Sequence, residues 1–436
     1  MSETNVRFVG LDVHKRVIEC CILAADGRVL RRDRWALTRE YLESVARTVL
    51  QPTDRLALEA TTNTWAVADV LRPFVAEVIV SNPMTTKAIA SAKVKTDKVD
   101  AAVLAHLLRL DYLPRVWQPD DTTRRLRSLC ARRASLVSDR TRIKNRLHAV
   151  LAQRLITPQK EKLFTTAGLA WLAAVELDEL GRTFVDSDLR LLADIERELA
   201  ELQPLLVQQA HHDASIKLLM TLPGVDVAVA AALVAAVGDI ERFREADQVA
   251  GYLGLAPSTY QSADHCYHGP ITKAGRSHTR WMLVQAAHHV AKHPGPLGVF
   301  FRRLAAKKNY NVAVVATARK LAVIAWHMLK HNEPYRYAQP RPTETKLARL
   351  RVQATGRKRT TGPAKGIKNT AKLLGGSRTI KPLAQVYQEE SLPPLADTRP
   401  GERQMLTRTG TTRFAESLSV PHLIPRRKKA TSPAAP

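Results

Sequence analysis

"VRFVGLDVHKRVIECCILAADGRVLRRDRWAL", residues 6–37, holds three strand-like runs in a row. "FVGLDV" is a short apolar strand. "VIECCILA" and "RVLRRDRWAL" flank Asp26-Gly27, a two-residue signal for a tight hairpin. Beyond residue 37 the pattern changes. "TREYLESVARTVL" (38–50) predicts a helix with Thr38 as N-cap, and "RLALEAT" (55–61) predicts a strand. "NTWAVADVLRPF" (63–74) predicts a helix, and "AEVIVSNP" (76–83) a strand ended by Pro83. "TDKVDAAVLAHLLRL" (96–110) predicts a further helix, with Thr96 as N-cap.

Three strands followed by helix–strand alternation match a ribonuclease-H-like α/β domain, assigned to residues 1–118. A doubly wound sheet would alternate from its first strand, and no G-x-G-x-x-G follows "FVGLDV". Residues 119–212 read as a helical, coiled-coil linker. Leu129, Leu136, Ile143 and Val150 recur every seven residues among many arginines. Leu189, Leu192, Ile195, Leu199, Leu202 and Leu206 form a second stripe, opposite an acidic face. A basic helix folded back on an acidic one follows, as a coiled coil or as ordinary bundle packing. Residues 213–335 read as mostly helical. Residues 336–436 read as a disordered basic tail; 341–436 hold 20 Lys and Arg against 6 Asp and Glu.

The whole chain, 436 residues, carries a net charge of +26. That charge points to a polyanionic partner, with nucleic acid the default, rather than a membrane. The start "MSETNVRFVG" lacks the features of a signal peptide, and "VAVAAALVAAVG" (227–238) is too short to span a bilayer. Four cysteines without C-x-x-C spacing suggest neither a zinc site nor a disulfide framework, which fits a reducing cytoplasm.

Asp12 ends the first strand and Glu59 ends the 55–61 strand. In a ribonuclease-H-like sheet these strands are parallel neighbours, so the two carboxylates would lie side by side. On the 96–110 helix, Asp97, Asp100, Leu104 and Leu107 fall within a sector of roughly 80°. The aspartates thus continue the sheet-facing stripe. Four converging carboxylates would repel unless cations compensate, and two Mg²⁺ ions fit such oxygen ligands. Taken singly, each acid could be a cap or a surface charge. Lys95 beside the pair would approach a nucleic-acid backbone. "LPGV" (222–225) between apolar helices suggests a helix-hairpin-helix, with Gly224 turning the chain toward a phosphate. In 252–287, Ser258 and Ser262 precede Lys273, Arg276 and Arg280. A serine among cations could attack a phosphodiester, or could be a plain loop residue.

The stretches "GLDVHK" (10–15), "LEAT" (58–61), "KTDKVDA" (95–101), "LPGV" and "YLGLAP…QS…G-ITKAGR…R" (252–280) together resemble the DEDD transposases of the insertion-sequence family IS110. The resemblance covers residues 6–330. It implies a RuvC-like ribonuclease-H domain, a coiled-coil linker and a C-terminal transposase domain. It also implies that Asp12, Glu59, Asp97 and Asp100 bind Mg²⁺ and that Ser262 is the catalytic serine. Such enzymes excise and insert their own element in the bacterial cytoplasm, guided by a bridge RNA. They work as dimers paired into tetramers, with acids and serine from different protomers. Here Ala263 stands where the family has glycine after the serine, and Thr279-Arg280 replaces Leu-Arg. Two other readings remain at this stage: a RuvC-like endonuclease using water, and a non-enzymatic nucleic-acid-binding protein.

Overall fold

The computed structural model describes residues 6–90, 96–158, 163–262, 265–357 and 378–424. The chain forms two compact units, Met1–Pro119 and Asp120–Pro436.

In the first unit, β1 (Phe8–Val13), β2 (Val17–Leu23), β3 (Val29–Ala36), β4 (Arg55–Glu59) and β5 (Glu77–Ser81) form one sheet in the order β3-β2-β1-β4-β5. β1, β2 and β3 run antiparallel, while β1, β4 and β5 are parallel. The hairpin turns where Asp26-Gly27 predicts it, with Gly27 at φ +92° and its N–H on the Ala24 carbonyl at 3.0 Å. Thr38 caps α1 (Arg39–Thr48) by accepting the Tyr41 N–H at 3.3 Å. Thr96 holds the N-cap position of α4 (Asp97–Arg109), but its side chain makes no capping bond. Between α2 (Thr64–Leu71) and α4 lies α3 (Pro83–Ile89), which the sequence reading missed. Pro83 stops a strand, but it also suits the first turn of a helix, and Asn82 caps this one from the Met84 N–H at 3.0 Å.

Strand alternation divides the core. Val9, Leu11 and Val13 pack with Leu56, Leu58 and α1–α2 on one face. Phe8, Ala57 and Ile79 pack with Leu104, Leu107 and Leu108 of α4 on the other. Gly10 belongs to the α4 face. A Cβ there would lie 2.1 Å from the Ala101 carbonyl oxygen and 2.6 Å from the Ala105 nitrogen. The missing side chain lets α4 rest directly on β1. The same period of two puts Asp12 on the face of Phe8 and Gly10, and Glu59 on that of Ala57.

In the second unit, α5 (Asp121–Ala152) lies antiparallel to α7 (Glu179–His212), with α6 (Thr166–Ala174) between them in sequence. Pairs Arg132–Glu198, Arg140–Glu196, Arg146–Asp188 and Arg154–Asp178 run in opposite order along the two helices. Ile143, Leu147 and Val150 bury against Val185 and Leu192. Asp188 is buried, whereas the pairs of Glu198 and Glu196 are exposed and contribute little, so the apolar seam holds the helices together.

α8 (Ala214–Leu219), α9 (Val227–Val237), α10 (Ala246–Tyr252), α11 (Ser277–Val290), α12 (Pro296–Lys307) and α13 (Tyr310–His331) share one large core. Among the described residues α13 is long and apolar enough to cross a membrane, but half of its apolar window is buried in this core. The expected disorder of 336–436 is corrected for 336–357 and 378–424; the rest of that segment lies outside the described residues. α14 (Pro340–Thr355), α15 (Leu383–Glu389), α16 (Pro400–Thr409) and α17 (Thr412–Ser417) are helices, and β8 (Arg378–Ile380) pairs with β9 (His422–Ile424). Leu347, Leu350, Leu383, Val386, Tyr387, Leu406 and Leu418 enter the same core. The Tyr387 hydroxyl donates to the Tyr335 carbonyl at 2.6 Å. Overall composition hid these sparse apolar positions, spaced three and four apart.

Candidate active site

Asp12, His14 and Asp97 meet at the C-terminal end of β1. His14 Nε2 lies 3.0 Å from Asp12 Oδ2 and 3.2 Å from Asp97 Oδ2. One ligand atom from each residue lies within 4.8 Å of the others. His14 Nε2 is buried and makes no aligned hydrogen bond, so the two carboxylates approach it without satisfying it. One imidazole nitrogen and two carboxylate oxygens converging in this way fit a divalent cation. Burial pushes the Asp12 carboxyl above the ordinary aspartate range. His14 partly offsets the rise, and the charges of Asp100 and Asp97 add to it. A cation would remove that strain.

Of the four predicted acids, Asp12 and Asp97 join the cluster, and Asp100 lies close enough to act on Asp12. The β1–β4 register pairs Leu11 with Leu58, and the next residues along are Asp12 and Glu59. His14 was not among the predicted site residues, although it stands inside the quoted "GLDVHK". Its signal was position: two residues past a strand-end aspartate, in the turn where His14 N–H bonds the Val17 carbonyl at 2.9 Å. Lys95 lies outside the described residues.

The serine stretch belongs to the second unit. β6 (Pro257–Ser262) and β7 (His265–Ile271) form an exposed hairpin, and Ser262 ends β6 opposite His265. Ser258 donates its hydroxyl to the Pro270 carbonyl at 3.0 Å, a structural use that separates it from Ser262. Ala263 lies outside the described residues.

Lys273 at φ +56° and Gly275 at +68° turn the chain into α11. Arg276 donates to the Tyr252 hydroxyl at 3.3 Å. Burial alone would raise the Tyr252 phenol, but Arg276 and Arg242 outweigh it and lower it. Arg280 braces the loop by donating to the Leu253 and Ala274 carbonyls at 3.0 and 2.9 Å. Both bonds come from one guanidinium nitrogen of Arg280. Gly224, at φ +77°, turns beneath α11, where a Cβ would come 2.3 Å from the Ala286 carbonyl oxygen. Close packing explains this glycine.

Two carboxylates and an imidazole meeting where β1 ends and α4 begins, on a strongly basic chain, fit an enzyme acting on nucleic-acid phosphates. Comparison with known proteins gives the particular family. Residues 9–156 match the DEDD transposase model of IS110, and residues 216–299 match the transposase family IS116/IS110/IS902. A putative transposase, y4qE, of Sinorhizobium fredii is 28% identical over 334 residues, covering 75% of this chain and 80% of that protein. The transposase for insertion sequence element IS1111A of Coxiella burnetii is 24% identical over 352 residues, 77% of this chain and 93% of its own. The pilin gene-inverting protein of Moraxella bovis is 25% identical over 362 residues, 77% and 98% of the respective chains. The chain belongs to the IS110 family of insertion-sequence transposases. It is an enzyme that cuts and rejoins DNA.

Proposed function

We propose that this transposase is an RNA-guided recombinase whose first unit is a RuvC-like, ribonuclease-H-fold metal domain. The observation that carries the reading is the meeting of Asp12, His14 and Asp97 at the end of β1, with Asp100 beside them. Asp12, Glu59, Asp97 and Asp100 would hold two Mg²⁺ ions, and His14 would complete or orient the set. When bound, such ions neutralise charge developing on a scissile phosphodiester. Ser262 is the nucleophile. Its Oγ bonds to phosphorus, the bond from phosphorus to the leaving sugar oxygen breaks, and the hydroxyl proton passes through solvent to that leaving oxygen, which departs as a sugar hydroxyl. Lys273 and Arg276 face the phosphate, and Arg280 holds their loop.

The α5–α7 pair acts as a coiled-coil arm between protomers that assemble as dimers and tetramers. The α8–α9 turn acts as a helix-hairpin-helix on DNA. A bridge-type guide RNA pairs with donor and target in the bacterial cytoplasm. The net charge of +26 supports a nucleic-acid load of this size.

Ser262→Ala tests the chemistry. It should abolish the covalent protein–DNA adduct and recombination, while Asp12→Asn abolishes strand cleavage. Cleavage that survives in the Ser262 variant, with no adduct in the wild type either, would replace this reading with a water-using RuvC-like nuclease. Sequencing RNA that copurifies with the chain tests the guide, and a structured RNA from the element's own flank is the expected result.

A further inference from the structure

Where the α8–α9 turn meets the end of α11, the second unit holds a cavity of about 230 Å³. Its wall includes Pro223 and Gly224 of the turn, His289, Lys292 and His293 after it, and Lys346 of α14. No carboxylate is among its lining residues. His289 and Lys292 are exposed, whereas His293 is 5% exposed. The Lys292 ammonium and the His289 ring thus stand toward solvent, and a buried ring lies behind them.

The ring's hydrogen bonding fixes its tautomer. His293 Nδ1 accepts the Gly295 N–H at 3.1 Å, so the proton sits on Nε2. That buried Nε2–H has no partner among the described residues. An unmet buried donor is costly, and here it belongs to a residue that lines a cavity. Burial, with Arg302 and Lys346 nearby, lowers this imidazole to about 4, so it stays a neutral donor at physiological pH.

Lys346 Nζ donates to the Leu222 and Val225 carbonyls at 2.8 and 2.9 Å. Two of its three protons are used, and the third is left over. Asp226, whose charge reaches Lys346, caps α9 through the Val229 N–H and is not part of the wall.

We propose that this cavity is a phosphate-group site, in which His293 Nε2–H and the Lys346 ammonium bind oxygens while the Lys292 ammonium, beside His289, neutralises the charge. The phosphate can come from a nucleic-acid backbone or from free inorganic phosphate, and only the first source rests on the recombinase reading.

Inorganic phosphate is titrated calorimetrically into the full chain, into Lys292→Gln, and into His293→Phe, which keeps a ring against Phe414. The exposed Lys292 variant keeps the test open if the buried one fails to fold. One saturable phosphate per wild-type chain is expected, weakened about tenfold in either variant. Duplex DNA affinity is then measured against salt. A log–log slope shallower by about one in Lys292→Gln assigns the site to the backbone. An unchanged slope with lost phosphate binding assigns it to free phosphate. No saturable phosphate binding in the wild type, or equal binding in the variants, overturns the proposal. Strand cleavage is assayed separately. A chain that binds phosphate here but never cuts DNA keeps this site and loses the recombinase reading.

Discussion

His14 and Asp12 carry the residue-scale predictions. His14 Nε2 sits about as near two carboxylates as a ligand sits to its neighbours in a metal site. His14→Ala is expected to weaken Mn²⁺ binding by about 10–100-fold, read by titration of the paramagnetic ion. Asp12 gives a pH signature in the metal-free protein. Its carboxyl is raised in the fold, chiefly by burial. The native state therefore holds the proton to higher pH than the unfolded chain, and stability falls as pH rises through that window. Asp12→Asn removes this loss. It should be more stable than wild type at neutral pH in chelator, with the difference closing below the ordinary aspartate value near 3.8. Thermal unfolding at several pH values reads it out. These residues were unequally legible in the sequence. Asp12 announced itself as a charge at the end of an apolar run. His14 did not, because a histidine in a turn has many uses, and only coordinates bring it to two aspartates.

Elements follow the same logic of local signal against context. The hairpin and the Thr38 cap were legible because each rests on contacts between residues near in sequence, and the α4 stripe because Leu104 and Leu107 follow the helical period, although Asp97 at its start is exposed. α3 and the helices after residue 336 were not. Pro83 carries two opposite meanings, and scattered leucines in a basic stretch look like tail until a core receives them. Leu347 provides the test. It is buried in α14, so Leu347→Ala should cost about 2–5 kcal/mol in denaturant unfolding, against less than about 0.5 for Arg349→Ala on the exposed side. Equal effects would return this segment to the disordered reading. On the other unit, Gly10→Ala should cost about 1–3 kcal/mol and push α4 off β1. Because Asp97 and Asp100 ride on that helix, strand cleavage should fall more than stability does.

At the scale of the whole molecule, each unit has its own apolar cores. Residues 1–119 expressed alone are therefore expected to fold cooperatively and to bind Mn²⁺ within about threefold of the full chain, since Asp12, His14 and Asp97 all lie inside it. A molten or metal-blind fragment would count against that unit as the metal domain. The clearance at Gly10 also has a practical side. Neutralising Asp12 to stop the chemistry makes a chain already at +26 more cationic, which by itself tightens its hold on any polyanion. Such a variant confuses loss of cutting with gain of grip. Gly10→Ala leaves every charge in place and acts only through a displaced helix. It offers an electrostatically silent off-switch, with which assembly on nucleic acid can be weighed separately from cutting it.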